Sequence, residues 1–275
     1  MRKKGIGKIL LFIVTLIFAV VFVYPLVMVF INSVKPLSEI IVDPLALPKE
    51  LAFENFADTW ERMEIPKIVR NTAVVTVLAV GGIVLLTSMT AYWTVRYPTL
   101  FGKIFTMAMV MSMLVPFAAI MIPEVQVLRT LGLNNSLLGT ALVYWGIGMP
   151  FAFFMMQSSV KGMPPDLEEA AMIDGCGRTR IFAVIAVPLM KPIIITVMLM
   201  DMFWIWNDFI VPLITLNNAE MTTIQLAISR LFGQYSSKWD IALPALVMTL
   251  LPVLIIFVLF QKKIMAGVMA GAVKG

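Results

Sequence analysis

The stretch from Thr72 to Val95 reads TAVVTVLAVGGIVLLTSMTAYWTV and contains no charged residue. A helix needs about 20 consecutive apolar residues to cross a bilayer, because backbone polar groups in hydrocarbon must be satisfied within the segment itself. Five other stretches also meet this requirement. The sequence therefore predicts an all-α membrane protein with six transmembrane helices, at about Ile9 to Ile31, Thr72 to Val95, Ile104 to Ile122, Leu137 to Met156, Ile193 to Pro212 and Ile241 to Phe260.

The composition agrees with a membrane protein and excludes several functions. Of the 275 residues, 60% are hydrophobic and 13% are charged, whereas soluble domains have about 25% charged residues. The chain has no histidine and one cysteine, which argues against His-dependent catalysis, a metal site and a disulfide framework. A net charge of +5 spread along the chain is too diffuse for nucleic-acid binding. No G-x-x-x-x-G-K-[ST] string occurs, so any ATP must bind to another subunit.

The N-terminus could be mistaken for a secretory signal peptide, because Met1-Arg2-Lys3-Lys4 precedes an apolar run. A signal peptide has an apolar region of about 7 to 15 residues and a small-residue cleavage site. Here the run continues through Tyr24-Pro25 without an A-x-A pattern. We therefore expect a retained first span.

The distribution of basic residues predicts the topology. Six spans place both termini on one side, and cytoplasmic loops carry the excess of Lys and Arg. In this arrangement 13 of the 21 basic residues share the side of the termini, and we expect that side to be the cytoplasm. They are Arg2, Lys3, Lys4, Lys8, Arg96, Lys103, Lys161, Arg178, Arg180, Lys191, Lys262, Lys263 and Lys274.

The spans divide the chain into one membrane domain with unequal loops. We expect a cytoplasmic N-terminus at 1–8, a six-helix domain at 9–262 with an inner loop at about 157–191, and a cytoplasmic tail at 263–275. The outer segment from Asn32 to Asn71 contains an amphipathic stretch near Glu54 to Met63. This segment either lies on the membrane surface or meets a partner, and the sequence leaves both open.

The inner loop contains a short helix with both ends marked. In PPDLEEAAMIDG (164–175), Asp166 can cap the helix with Glu169 three residues later, and Gly175 can close it with a positive φ. A second segment, Ile181 to Val187, would end at Pro188.

The exposed face of this short helix favours a protein partner. Leu167, Ala170 and Ala171 would share a face on which small side chains allow close approach. The alternative is an amphipathic helix lying on lipid headgroups. Three acids in four residues argue against that alternative, since the cytoplasmic leaflet is anionic.

The same loop resembles the EAA signature of bacterial ABC importer permeases. That signature has Glu-Ala-Ala, three residues, Gly, nine residues, Ile, one residue, Leu and Pro. The chain has Glu169-Ala170-Ala171, Gly175, Ile185 and Val187-Pro188, with Val187 as its one departure.

Further stretches resemble the carbohydrate branch of that family and its maltose-type second permease subunit. They are Glu54-Asn55-Phe56, Asn71, Ala91-Tyr92, Trp206-Asn207-Asp208-Phe209, and Ala266-Gly267 through Gly271-Ala272-Val273-Lys274-Gly275.

The resemblance implies a type I ABC importer transmembrane domain in a bacterial cell membrane. Such a subunit pairs with a second homologous permease, contacts membrane lipid, and receives a carbohydrate from an extracytoplasmic solute-binding protein. Two ATPase subunits bind ATP and Mg, and the C-terminal tail reaches them. The loop would be the coupling helix seated in an ATPase cleft, with Glu169 facing a basic group there. The coupling residues would be Asp166, Leu167, Glu168, Glu169, Ala170, Ala171, Asp174 and Gly175.

Polar residues in the fifth predicted span are candidates for the translocation pathway. Asp201 lies near mid-span, where a charge is costly unless it is paired or hydrated. Asp208 follows seven residues later, at about the same helical angle, with Trp204 between them on the same stripe and Asn207 beside it. An aromatic ring with carboxylate and amide groups suits sugar hydroxyls. Alternatively, Asn207 and Asp208 only anchor helices or bridge to the partner permease near the outer interface.

Two other functions are compatible with six spans. An ion-coupled secondary carrier would need an inverted repeat and midplane carboxylates, and only Asp201 meets the second condition. A membrane scaffold that transmits ATPase motion to an outer partner could use the long outer segment.

Overall fold

The computed structural model describes residues 3–232 and 238–272, with side chains over 7–232 and 238–261. Regular structure in these residues is helical. The α-helices are α1 (Lys3–Ser33), α2 (Leu37–Val42), α3 (Glu54–Arg62), α4 (Ile65–Arg96), α5 (Leu100–Ser112), α6 (Phe117–Thr130), α7 (Leu137–Lys161), α8 (Asp166–Ile173), α9 (Arg178–Ile181), α10 (Val187–Asn207), α11 (Ile210–Thr215), α12 (Ile224–Ser229) and α13 (Trp239–Ala272). A π-helical stretch, Phe182–Ala186, joins α9 to α10, and a 3₁₀ turn covers Ala219–Met221.

The number of membrane-spanning helices agrees with the predicted six. Among the described residues, five helical segments are long and apolar enough to cross a membrane, and a bent pair brings the number to six if it counts as one span. The five are Gly7–Ser33, Ile65–Arg96, Leu137–Lys161, Arg178–Asn207 and Trp239–Gln261. The predicted amphipathic stretch in the outer segment also forms a helix, α3.

The third span differs from its predicted form, because it is broken. Helices α5 and α6 meet at an angle of 115°, whereas the sequence predicted a continuous helix from Ile104 to Ile122. Pro116 sits at the break in an extended conformation (φ −62°, ψ 134°). Proline lacks an N–H donor and disfavours helical geometry in the residue before it, here Val115, so the first helix stops and a second begins.

The fifth span starts earlier and ends earlier than predicted. The segment Ile181 to Val187 does not end at Pro188, because the helix continues through a π-helical turn in which Val187 N–H donates to the carbonyl of Phe182. Pro188 therefore lies inside a continuous helix, directly after the π-helical turn, and supplies no N–H for a bond to the preceding turn. The helix ends at Asn207, and Asp208 is extended. Since α7 also reaches Lys161, the inner loop is shorter than 157–191.

Two compact units make up the chain. Unit 1 comprises the chain up to Ile68 together with Ala227–Pro252, and unit 2 comprises Val69–Leu226 and the chain from Val253. In unit 1 the Asn55 side-chain amide donates to the carbonyls of Lys35 (2.8 Å) and Ser33 (3.4 Å). Asn55 therefore fixes the outer segment to the end of α1, which gives Glu54-Asn55-Phe56 a structural role.

Unit 2 has an apolar core built around α7. The start of α7 is buried almost all round, at residues 139–141, Val143 and Tyr144, and further along the helix the buried positions fall mainly on one side. The largest fully buried side chains of this core include Ile83 of α4, Tyr144, Phe153 and Met156 of α7, and Met190 and Val197 of α10.

Gly82 lets α7 pack against the backbone of α4. The Trp145 indole lies where a Cβ on Gly82 would stand, and its Nε1 donates to the carbonyl of Leu78 at 3.0 Å. Gly82→Ala should therefore overpack this contact and destabilise the chain by about 1 to 3 kcal/mol. Gly81→Ala is the matched control, because a Cβ there meets nothing within 4 Å.

Thermal unfolding of the two purified variants in detergent measures this difference. We expect Gly81→Ala to keep the wild-type midpoint and Gly82→Ala to lower it. Equal midpoints would mean that α4 and α7 are not packed through Gly82.

The predicted terminal segments 1–8 and 263–275 are partly helical, since α1 begins at Lys3 and α13 extends to Ala272. Residues 1–2 and 273–275 lie outside the described residues, as do the side chains from 262 onward. The predicted contacts of the C-terminal tail fall on these positions.

Candidate coupling helix and intramembrane polar residues

Helix α8 begins one residue earlier than predicted. Pro165, not Asp166, occupies the N-cap position, and no side chain caps the helix. The Pro165 carbonyl accepts from the backbone N–H groups of Glu168 (2.9 Å) and Glu169 (3.0 Å). The predicted capping box between Asp166 and Glu169 is therefore wrong, because proline already provides the helical φ at this end. The acids still lie in the first turn, where the helix dipole favours negative charge.

The other end of α8 closes as predicted. Gly175 has a φ of +81°. The N–H of Cys176 donates to the carbonyl of Ala171 at 2.9 Å, and the N–H of Gly175 donates to that of Met172 at 3.0 Å. These two bonds form a Schellman motif, which requires a left-handed residue at the position of Gly175.

One face of α8 is tied to the end of α4. Glu168 is buried, and its carboxylate accepts from the Tyr92 hydroxyl (2.8 Å) and from Arg96 Nε (2.8 Å). Arg96 Nη2 also donates to the carbonyl of Met163 at 3.0 Å. We call Tyr92, Arg96 and Glu168 the α4–α8 joint. Since hydrogen bonds to ionised groups are the strong ones, the joint fixes the loop to α4.

The opposite face of α8 is exposed. Leu167 is 49% exposed and Ile173 is 87% exposed, and Asp166, Glu169, Ala170, Met172 and Asp174 are also exposed. Ala171 is buried, so the predicted common face of Leu167, Ala170 and Ala171 is wrong. Ala171 lies on the inward side of α8 because Glu168, three residues earlier, is held by α4.

Aromatic residues at the end of α4 also contact the part of the loop that follows α8. The Arg178 guanidinium lies 4.5 Å from the centre of the Tyr97 ring, and Tyr97 packs on Trp93 with centroids 4.3 Å apart. Tyr92 packs on Phe182 at 5.2 Å. Sequence reasoning did not assign Arg96 or Tyr97 to this site. The cluster of aromatic residues around an arginine at the end of a span could have indicated these contacts.

Asp208 does not lie on the predicted stripe with Asp201. It follows the end of α10, where its Oδ2 accepts from the Tyr144 hydroxyl (2.8 Å) and from the N–H of Val211 (2.9 Å). The carboxylate thus joins α7 to the first turn of α11. These contacts match the anchoring alternative for Asp208.

The remaining pathway candidates occupy different surroundings. Asp201 is buried on the α10 stripe that includes Val197 and Ile205, and its Oδ2 has no hydrogen-bond partner among the described residues. Trp204 is 38% exposed and packs edge-on against Tyr144 at 5.5 Å. Asn207 is exposed, and its amide donates to the carbonyl of Phe203 at 2.8 Å.

Helix α6 carries a carboxyl group just beyond the predicted third span, which ended at Ile122. Glu124 lies within α6 and lines a cavity of about 390 Å³ with Val143 and Gly146. Its Oε2 has no partner among the described residues. The sequence did not place Glu124 in a helix, because it predicted neither the bend at Pro116 nor the continuation of α6 to Thr130. No three Asp, Glu or Cys side chains of the described part of the chain converge on a common point.

Apolar spanning helices and a short exposed helix with the EAA spacing define the transmembrane subunit of a binding-protein-dependent transporter. A family described as "binding-protein-dependent transport system inner membrane component" matches residues 83–265, and the chain belongs to this family.

Relatives match the chain over almost its whole length. It is 34% identical to a protein named as a probable starch degradation products transport system permease, AmyC of Thermoanaerobacterium thermosulfurigenes, over 100% of both chains. It is 30% identical to the arabinooligosaccharides transport system permease AraQ of Bacillus subtilis, over 98% of this chain and 97% of that one.

A solved structure shares the fold. It is a chain of a bacterial ABC transporter involved in the import of the acidic polysaccharide alginate, with a TM-score of 0.85, 21% identity, and coverage of 95% of this chain and 98% of that chain. The protein is thus a multi-pass membrane protein and a permease subunit of an ABC importer. It is a transport component, not an enzyme.

The hydrogen bond between Tyr144 and Asp208 leads to a testable prediction. Tyr144→Phe removes a hydrogen bond to a charged group and should cost about 1.5 to 3 kcal/mol of stability. Tyr24→Phe is the control, since Tyr24 is exposed. Thermal unfolding should separate the two variants, while the substrate concentration for half-maximal transport stays the same. A Tyr144→Phe variant of normal stability but altered substrate dependence would assign Asp208 to the pathway.

Proposed function

We propose that this permease subunit imports a carbohydrate, either a sugar or an oligosaccharide, that an extracytoplasmic solute-binding protein delivers. The observation that carries the proposal is the full-length similarity to permeases named for starch degradation products and for arabinooligosaccharides. A second, homologous permease subunit would complete the pathway.

The exposed face of α8 is the proposed contact with an ATPase subunit, which would bind ATP and Mg. Leu167, Ala170 and Ile173 offer apolar surface, and Asp166, Glu169 and Asp174 offer negative charge for basic groups. Gly175 sets the direction of the chain after the helix. Glu168 and Ala171 are buried and would transmit motion instead of contacting the ATPase. Two ATPase subunits, one for each permease, would drive the cycle.

The proposed pathway residues of this chain are Asp201, Trp204 and Asn207. Two observations support this assignment: Asp201 Oδ2 has no hydrogen-bond partner in the described part of the chain, and the Trp204 ring is partly exposed. Asp208 would act structurally, by joining α7 to α11 through Tyr144 and the N–H of Val211, without contacting the sugar.

The proposed orientation places both termini and α8 in the cytoplasm of a bacterial cell. Cys176, the chain's only cysteine, lies directly after Gly175 with a free thiol. A membrane-impermeant maleimide should therefore label Cys176 in inverted membrane vesicles but not in intact cells. In a Cys176→Ser background, Val42→Cys tests the outer segment, because Val42 is 84% exposed. Labelling of Cys176 in intact cells would instead indicate that α8 lies on the outer side of the membrane.

Reconstitution with the partner subunits tests the function itself. The chain should co-purify with a second permease and an ATPase, and sugar plus binding protein should stimulate both ATP hydrolysis and uptake of labelled oligosaccharide. Uptake driven by an ion gradient without ATP would instead indicate a secondary carrier. Stimulated hydrolysis without solute movement would indicate a scaffold.

A further inference from the structure

A cavity of about 570 Å³ with a polar end and an apolar end lies between the end of α4, helix α5 and the end of α7. Lys103 is in the first turn of α5, and Lys161 is the last residue of α7. Both lysines line the cavity, so its polar end is at the level where helices leave the membrane. This site is separate from the exposed face of α8 and from Asp201.

Among the described residues, no carboxylate balances the positive charge of the two lysines that line this cavity, because none lies within ion-pair distance of either. Lys161 Nζ donates to Gln157 Oε1 at 2.9 Å, and Gln157 Nε2 donates to Thr106 Oγ1 (3.3 Å) and Thr94 Oγ1 (3.4 Å). Gln157 is 7% exposed. A buried amide thus positions one ammonium group and both hydroxyl groups around the same space.

The polarity of the cavity changes with depth. Along α5 its lining runs from Lys103 to Met107 and Val110, and the last of these lies about 10 Å from Lys103 at 1.5 Å per residue. The cavity is therefore cationic at the membrane surface and apolar deeper in the membrane. A phospholipid has the complementary shape, with an anionic headgroup above acyl chains.

We propose that this cavity binds an anionic phospholipid such as phosphatidylglycerol, with its phosphate between Lys103 and Lys161. Basic pockets between spans on the cytoplasmic side commonly bind such headgroups. An acidic protein segment would leave the apolar half of the cavity unfilled. A neutral sugar would leave both lysines uncompensated. The proposal is independent of the sugar that is transported.

Native mass spectrometry of the purified importer complex can test the site with two lipids that share acyl chains, phosphatidylglycerol and phosphatidylcholine. The test variant is Lys103→Gln with Lys161→Gln. The control is Lys8→Gln with Lys191→Gln, which removes two exposed lysines that do not line the cavity. We expect the test variant to bind phosphatidylglycerol about thirtyfold more weakly, as estimated for two lysine contacts with an anionic lipid. The control should bind it like wild type, and phosphatidylcholine should bind equally to all three.

Four results would overturn the proposal. The test variant could retain wild-type affinity for phosphatidylglycerol, or phosphatidylcholine could bind wild type as tightly. Inorganic phosphate could displace the lipid completely, which would make this a free-phosphate site. Finally, the test variant could keep its lipid while losing sugar uptake, which would assign the cavity to the sugar pathway and leave the proposed transport function intact.

Discussion

Glu168→Ala is expected to lower coupled uptake by more than tenfold while ATP hydrolysis continues. The substitution leaves the Arg96 side chain, which is 16% exposed, without its carboxylate partner. Loss of one partner from a buried ion pair costs about 3 to 5 kcal/mol. The exposed face of α8 is unchanged, so an ATPase can still dock. Its movement would no longer reach α4, because the α4–α8 joint is broken.

The ratio of labelled sugar taken up to ATP hydrolysed, measured in proteoliposomes, checks this prediction. Glu61→Ala is a control for the loss of a carboxylate, since Glu61 is an exposed residue of α3. Glu168→Leu with Arg96→Leu separates stability from transmission. Replacing both partners by apolar groups can restore stability, yet the joint is still absent and the ratio should stay low. A normal ratio in this double variant would show that the joint only stabilises the fold.

The sequence was sufficient to predict the features that depend on local composition. The number of spans followed from long uncharged runs such as Thr72 to Val95, and the positive φ of Gly175 followed from its place after a short helix. Both are consequences of near neighbours in the chain. The EAA spacing then identified the family, because its fixed positions lie within a single loop.

The features that sequence reasoning missed depend on distant partners. Glu168 turns inward because Tyr92 and Arg96 lie across from it, 76 and 72 residues earlier in the chain. Asp208 leaves the α10 stripe because Tyr144 of α7 and the first turn of α11 supply hydrogen-bond donors. Neither pairing has a periodic signature. The continuation of the helix through Pro188 also needed a π-helical turn, which composition does not reveal.

Gly175→Val is expected to reduce coupled uptake by at least tenfold through backbone strain alone. A Cβ at this position meets nothing within 4 Å, so crowding within the chain is not involved. A β-branched residue at a φ of +81° costs about 1 to 3 kcal/mol. Relief of that strain would open the Schellman motif and redirect the chain between α8 and α9, so that α8 no longer meets the ATPase in register.

Gly177→Val supplies the matched control, because a Cβ there also meets nothing within 4 Å and its φ of −71° and ψ of 157° suit any residue. Gly175→Asn should keep most of the uptake, since asparagine tolerates the left-handed region. Uptake of labelled sugar at equal membrane content of the complex compares the three. If Gly177→Val were as damaging as Gly175→Val, added bulk at the ATPase contact, not the positive φ, would be the cause.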